Sequence, residues 1–238
     1  MPNSAQAIAP VLALDGPSGA GKGTVGTRCA EQLGWHYLDS GAIYRAVAWQ
    51  AIAAEVAADD DEGLRSICDS LHFKSVPNPG DVVDIFVNNQ NITRDVRREE
   101  VGVHASRFAA RPVVRECLLA LQRRSREWPG LVADGRDMGT VVFADAITKV
   151  FVTASAEVRA ERRYKQLKEK GLDGNLRALL EAIKERDARD SGRAVSPLKP
   201  ADDATVLDTS NMSIDEVVST VLDLVNQHLH PIRPDRNK

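Results

Sequence analysis

An apolar run, Val11–Leu14, ends at Asp15 and is followed by Gly16, Gly19, Gly21 and Gly23, with Lys22 between the last two and Thr24 after them. A helical pattern begins at once. Strand, glycine-rich loop, lysine and helix, in that order, describe a phosphate-binding loop. Successive backbone N–H groups point at a polyphosphate and set it on a helix N-terminus. Lys22 is placed to reach the β- and γ-phosphates. A bland turn closing a buried strand has no use for four glycines and a lysine.

A loop of this kind needs a sheet edge to sit on, and the rest of the chain alternates strands and helices. Val11–Leu14 reads as a buried strand and Gly21–Leu33 as its helix, closed by Gly34. Trp35–Leu38 is a second strand, after which Ser40 is expected to cap a helix running through Ala54. Asp59–Ser70 is helical in pattern. Leu71–Val76 and Val82–Val87 form a hairpin with Pro77, Asn78, Pro79 and Gly80 as its turn, and Asn88–Arg97 adds a further turn and a third strand. Helices resume from Glu99, and Pro112 opens the next one. Leu131–Ala133, Lys149–Thr153 and Ala204–Leu207 are strands. Ala156–Lys170, Leu176–Arg189 and a Ser213-capped C-terminal segment are helices. Strands separated by helices predict an α/β fold with a parallel, doubly wound sheet. The block from Leu71 to Arg97 breaks the rhythm as an antiparallel insertion.

Composition removes several classes of function. A net charge of −3 over 238 residues gives no general attraction to nucleic acid. Arg123, Arg124 and Arg126 read as a solvated helix face. Arginine outnumbers lysine 22 to 9, which suits bidentate contacts to phosphates and carboxylates. Cys29, Cys68 and Cys117 are far apart, form no metal-binding spacing, and suit a reduced, cytoplasmic protein. No apolar stretch is long enough to span a membrane. Residues 1–8 read as a disordered start and not a signal peptide, and residues 230–238 as a frayed tail.

Three further motifs carry chemistry. In LDSGAIYR, Leu38–Arg45, a strand end delivers Asp39 and Ser40, and Arg45 follows on the next helix. In VADGRDMGTVVF, Val132–Phe143, Asp134 ends a strand as the acidic partner of a phosphate loop often does. Arg136 and Asp137 are then expected exposed at the carboxyl edge of the sheet, where ligands of open α/β folds bind. In ERDARDSGR, Glu185–Arg193, the residues Arg186, Asp190 and Arg193 fall on one helix face if the helix persists.

The GKGT ending of the first loop, with Gly23 before Thr24, resembles nucleoside monophosphate kinases of the adenylate kinase type. GPSGAGKGT, LDSGAIYRA, ADGRDMGTVVF and IKERDARDSGRAVSPL together resemble the bacterial-type cytidylate kinase family, in that family's order and over nearly the whole chain. The resemblance implies a P-loop NTPase fold with a core over residues 9–39 and 98–229 and a short lid near 168–175. Residues 40–97 become the monophosphate-binding region, with an antiparallel β insert near 71–97. It implies transfer of the ATP γ-phosphoryl group to CMP or dCMP, in a monomer, with Mg2+ accompanying ATP. Gly16, Pro17, Ser18, Gly19, Ala20, Gly21, Lys22, Gly23 and Thr24 would then bind ATP phosphates, with Arg162 and Arg163 facing ATP. Ser40, Arg45 and Arg136 would hold the acceptor nucleotide. Ser106, Arg115 and Asp137 would read the cytosine ring, Arg186 and Asp190 the pentose, and Arg193 the phosphates. Lys22, Arg136 and Arg193 become the catalytic cations, and Thr24 and Asp134 the neighbours of Mg2+, directly or through water. A small-molecule kinase of the same fold gives no reason for the insert or for the ERDARDSGR cluster.

Overall fold

In the computed structural model, which describes residues 8–78, 82–169, 171 and 173–229, β1 (Val11–Asp15) is buried at every position. A strand apolar on both faces must lie inside a sheet covered on both sides. The elements that follow are α1 (Lys22–Leu33), β2 (His36–Asp39), α2 (Ser40–Ala53), α3 (Asp61–Asp69), β3 (Phe73–Asn78), β4 (Val82–Val87), β5 (Gln90–Asn91), α4 (Glu99–Phe108) and α5 (Pro112–Arg124). The chain continues through β6 (Leu131–Gly135), β7 (Thr148–Thr153), α6 (Ala156–Glu169), α7 (Leu176–Ser191), β8 (Thr205–Asp208) and α8 (Ile214–Leu229).

Five strands form one parallel sheet in the order β2-β6-β1-β7-β8. Side chains alternate along β1, and each face meets its own helices. Val11 and Ala13 pack into a cluster with α2, α4 and α5. Leu12 and Leu14 pack with Val25 and Cys29 of α1 and with Val217, Val221 and Val225 of α8. Because β1 is flanked by β6 and β7, which come much later in the chain, loops from distant segments gather at one carboxyl edge.

The antiparallel insertion is present as a separate sheet, β3-β4-β5, with Phe73 opposite Val87 and Asn78 opposite Val82. The strand β3 starts and ends two residues later than expected. Pro77 and Asn78 therefore belong to a strand and not to the turn, while Pro79 and Gly80 lie outside the described residues. So do most of the N-terminal segment and the whole C-terminal tail. The cap of α2 is Asp39 and not Ser40: the Asp39 carboxylate accepts a hydrogen bond from the Ala42 N–H at 3.0 Å, and Ser40 is the first helical residue. Competition between two adjacent capping residues is decided by which one keeps extended backbone, and that is Asp39. Ser213 does cap α8, in a reciprocal box with Glu216.

Two of the three arginines near the end of α5 also bond to the scaffold, Arg123 while exposed and Arg126 from a half-buried position. Arg123 donates to the carbonyls of Val142 and Val141, at 3.1 and 3.2 Å. Arg126 donates to the Ala9 carbonyl at 2.7 Å and pairs with Asp145. They tie α5 to the segment after β6 and to the start of β1, so their charge serves the scaffold.

Candidate active site

The phosphate loop leaves β1 through Gly16, whose φ of 146° lies in the left-handed half of backbone space. A β-carbon there would collide with the Val152 carbonyl, so only glycine lets the loop turn against β7. Gly21 precedes α1 in a left-handed conformation and offers no side-chain cap. The first N–H groups of α1 are thus left for a ligand. Thr24 is exposed on the first turn.

Lys22 opens α1 and folds over its own loop. Its Nζ donates to the Pro17 carbonyl at 2.9 Å and lies 3.8 Å from Asp134. Asp134 also accepts from the Tyr37 hydroxyl at 3.3 Å. Burial pulls the Lys22 ammonium below its ordinary range, and Arg136 nearby adds to the effect. Burial likewise raises the Asp134 carboxyl, and Lys22 works against that rise. Each ion needs the other to remain charged in this dry setting.

Beside the loop opens a cleft of about 510 Å3, bounded by Ser18, Gly19 and Gly23 on one side and by Arg45, Arg163 and Arg186 on the other. Against its far end lies a tighter cavity of about 50 Å3. Every residue expected to hold the acceptor lines that cavity: Ser40, Arg45, Ser106, Arg115, Arg136, Asp137, Arg186, Asp190 and Arg193. Arg45 and Arg186 line both spaces and mark their boundary.

Asp190 is the hub of the smaller cavity and is 1% exposed. It accepts from Arg136 Nε at 3.0 Å and from Ser106 Oγ at 3.3 Å, and pairs with Arg193. Burial works to raise its carboxyl, but Arg136, Arg193 and Arg186 outweigh it and hold the group below the usual carboxylate range. Asp137, expected exposed, is 3% exposed and closes an ion pair with buried Arg115. The turn after β6 folds inward because Asp15 captures it: the Asp15 carboxylate accepts from the N–H groups of Met138 and Gly139, both at 2.8 Å. Burial pushes the Asp15 carboxyl up to about 6 against the pull of those two hydrogen bonds.

The cavity has more positive charge than its carboxylates neutralise. Five arginines face two aspartates. Among the described residues, the buried Nε atoms of Arg186 and Arg193 have no acceptor. Burial lowers Arg186 to about 10, with Arg136 reinforcing it. A buried unpaired donor on a cation is costly and is relieved by an anion. Arg45 reaches the edge of the cavity while donating to the Val96 carbonyl at 2.7 Å. Gly102 makes this possible, since a β-carbon there would sit 2.8 Å from the Arg45 guanidinium.

Of the two arginines expected to face ATP, Arg163 lines the large cleft and pairs with Glu99 at 3.1 Å. Arg162 donates to the carbonyl and hydroxyl of Thr209 at 2.6 and 3.3 Å, tying α6 to the loop after β8. Sequence reasoning missed the buried Arg159, one turn earlier. It donates to the Ser18 carbonyl of the phosphate loop at 3.1 Å and pairs with Asp187 of α7. Nothing distinguishes it in sequence from the other arginines of α6. Asp15, at the end of the first strand, carried a readable signal as the last residue before the glycines. Tyr44, whose ring lies 5.7 Å from the Arg115 guanidinium, did not.

This geometry coincides with a family match. The model describing cytidylate kinase aligns with residues 12–227. A cytidylate kinase of Aeromonas salmonicida (strain A449) is 52% identical over 222 residues, covering 93% of this chain and 96% of the relative. One of Pseudomonas aeruginosa (strain UCBPP-PA14) is 55% identical over 214 residues, covering 90% and 93%. The chain belongs to the cytidylate kinase family.

Proposed function

We propose that this chain transfers the γ-phosphoryl group of ATP to CMP or dCMP, releasing ADP and CDP or dCDP. The observation that carries the reading is the arginine-rich cavity abutting the phosphate-loop cleft, with buried guanidinium nitrogens that lack acceptors. Residues 40–97 act as the acceptor-binding region on a core of residues 9–39 and 98–229. The acceptor is already an anion at its reacting oxygen, so no general base is required. The barrier lies in bringing two polyanions together and in stabilising charge on the transferred group. Lys22 serves the donor phosphates. Arg45 and Arg186, shared by the two spaces, serve the point where acceptor and donor meet, together with Arg136 and Arg193. Asp190 keeps those cations aligned until the acceptor phosphate takes over part of their charge. Arg163 faces the ATP side, and Arg162 holds α6 in place behind it.

The donor set fits Mg2+. Thr24 offers a hydroxyl and Asp134 a carboxylate across Gly23, where a β-carbon would stand 3.8 Å from Asp134 Oδ2. Oxygen donors few in number suit a magnesium ion that keeps several waters and travels with the nucleotide. No group of three or more His, Cys, Asp or Glu side chains suited to a metal occurs among the described residues. When bound, the ion supplies charge neutralisation at the β- and γ-phosphates. Thr24 and Asp134 would hold it, directly or through water, and Lys22 and Tyr37 keep Asp134 in place.

Cytosine recognition falls to Asp137, Arg115 and Ser106. A carboxylate accepts from the exocyclic amine of cytosine and repels the carbonyl that uracil places there, and a site built on such a bond discriminates strongly. The test is steady-state ADP release with CMP, dCMP, UMP, AMP and a sugar acid at one fixed ATP concentration. CMP and dCMP are expected to give the highest kcat/KM. A higher value with a sugar acid or AMP would overturn the reading.

A further inference from the structure

Cys68 on α3 and Cys117 on α5 are remote in sequence, and both pack against the same hydrophobic cluster. The register of the two helices brings them there. Arg111 pairs with Asp61 at 2.7 Å, and one turn on Arg65 reaches both Glu116 and Cys117, each at 3.8 Å. Cys68 follows Arg65 by three residues and shares its face of α3. It lies near enough to Cys117 for that thiol to add to the rise that burial causes in its own pKa. Both cysteines are half-buried, whereas Cys29 is buried within the other core cluster. None of the three takes part in phosphoryl transfer.

We infer that Cys68 and Cys117 form a reversible dithiol–disulfide pair, oxidised by a peroxide or by a small-molecule disulfide. The two thiols have different parts. The Cys117 sulfur accepts from the Arg65 guanidinium at 3.8 Å, so negative charge building on it during attack is stabilised. Cys68 is pushed up to about 12, first by burial and then by its acidic and thiol neighbours, so it remains protonated. Cys117 therefore reacts first. With hydrogen peroxide its sulfur displaces hydroxide and becomes a sulfenic acid. Cys68 then attacks that sulfur, and the hydroxyl group leaves as water with the Cys68 proton. The peroxide is reduced by two electrons, and two thiols become one disulfide. With a small disulfide, Cys117 forms a mixed disulfide and expels one thiol, and Cys68 expels the second. The product staples α3 to α5, the helix that carries Arg115.

The test uses the full chain, fully reduced and then exposed to hydrogen peroxide or, separately, oxidised glutathione, before alkylation and peptide mapping. Each chain is expected to lose two hydrogen masses, to lose alkylation at Cys68 and Cys117 but not at Cys29, and to yield one peptide pair joined within the chain. Dithiothreitol restores both thiols. In Cys68→Ala the reaction stops at a Cys117 sulfenic acid that dimedone traps, and in Cys117→Ala, Cys68 stays alkylatable. Circular dichroism of both variants checks that they are folded. Absence of the internal link, a link only between chains, or oxidation of Cys68 in Cys117→Ala overturns the inference.

Discussion

In the proposed reaction Lys22 concentrates the donor half in one ammonium. Its Nζ already lies against the Pro17 carbonyl and Asp134, so it is held in place before any nucleotide arrives. Loss of a single charge-stabilising donor in such a site typically costs ~100-fold or more in turnover. Lys22→Ala is expected to lower kcat by at least that much at saturating ATP, and retained turnover would show that the loop binds without helping transfer. Asp137 poses the opposite problem, because it also balances buried Arg115. Removing one member of a buried ion pair is destabilising by ~3–5 kcal/mol. Asp137→Asn is therefore expected to be less stable and less active toward every acceptor. The informative quantity is the ratio of kcat/KM for CMP to that for UMP, which should fall. An unchanged ratio assigns Asp137 a scaffold role alone.

At the scale of elements, the site is built where a few secondary structures end. The helix α7 stops at Ser191, so Arg193 reaches Asp190 from beyond the helix and not from its face. The turn after β6 is held to β1 by the Asp15 carboxylate, which accepts its Met138 and Gly139 N–H groups. Asp15 makes the stability of that junction depend on pH. Its folded value of about 6 lies above the ordinary 3.8. Between those values the folded chain binds more protons than the unfolded one, so stability falls as pH rises through the interval. The full effect of a shift of that size is about 3 kcal/mol. Urea unfolding from pH 4 to pH 7 should show the advantage of the native chain over Asp15→Asn shrinking as pH rises and levelling above about 6. A difference independent of pH would mean that Asp15 titrates normally.

The whole molecule separates a roomy cleft beside the phosphate loop from a tight arginine-lined cavity and joins them through Arg45 and Arg186. Water in the large cleft could attack ATP in place of the acceptor. Closure of the insert region and of the segment near residues 168–175 over bound nucleotides would exclude it. ATP hydrolysis without an acceptor is accordingly expected to be a small fraction of the rate with CMP, measured as ADP release in the two conditions. Comparable rates would rule out a closure that depends on the acceptor. The Arg159–Asp187 pair, with the Ser18 carbonyl, links the phosphate loop to the helix bearing Arg186 and Asp190.

Local order explains what could be read without coordinates. The phosphate loop, the strand–helix alternation and the β insertion each rest on residues adjacent in the chain. Glycine spacing and periodicity therefore determined them, whereas the nine residues that line the tight cavity were named through the resemblance of four motifs to a family. What only the tertiary structure decided is how those motifs meet. Asp39 took the cap from Ser40, Asp137 turned inward to Arg115, Arg123 and Arg126 went to backbone carbonyls, and Cys68 met Cys117. For Asp137 above all, the outcome hangs on which of several equivalent polar groups is buried beside a distant partner. Burial makes an unpaired charge or donor expensive, and the partner is fixed by packing between elements that no local pattern encodes.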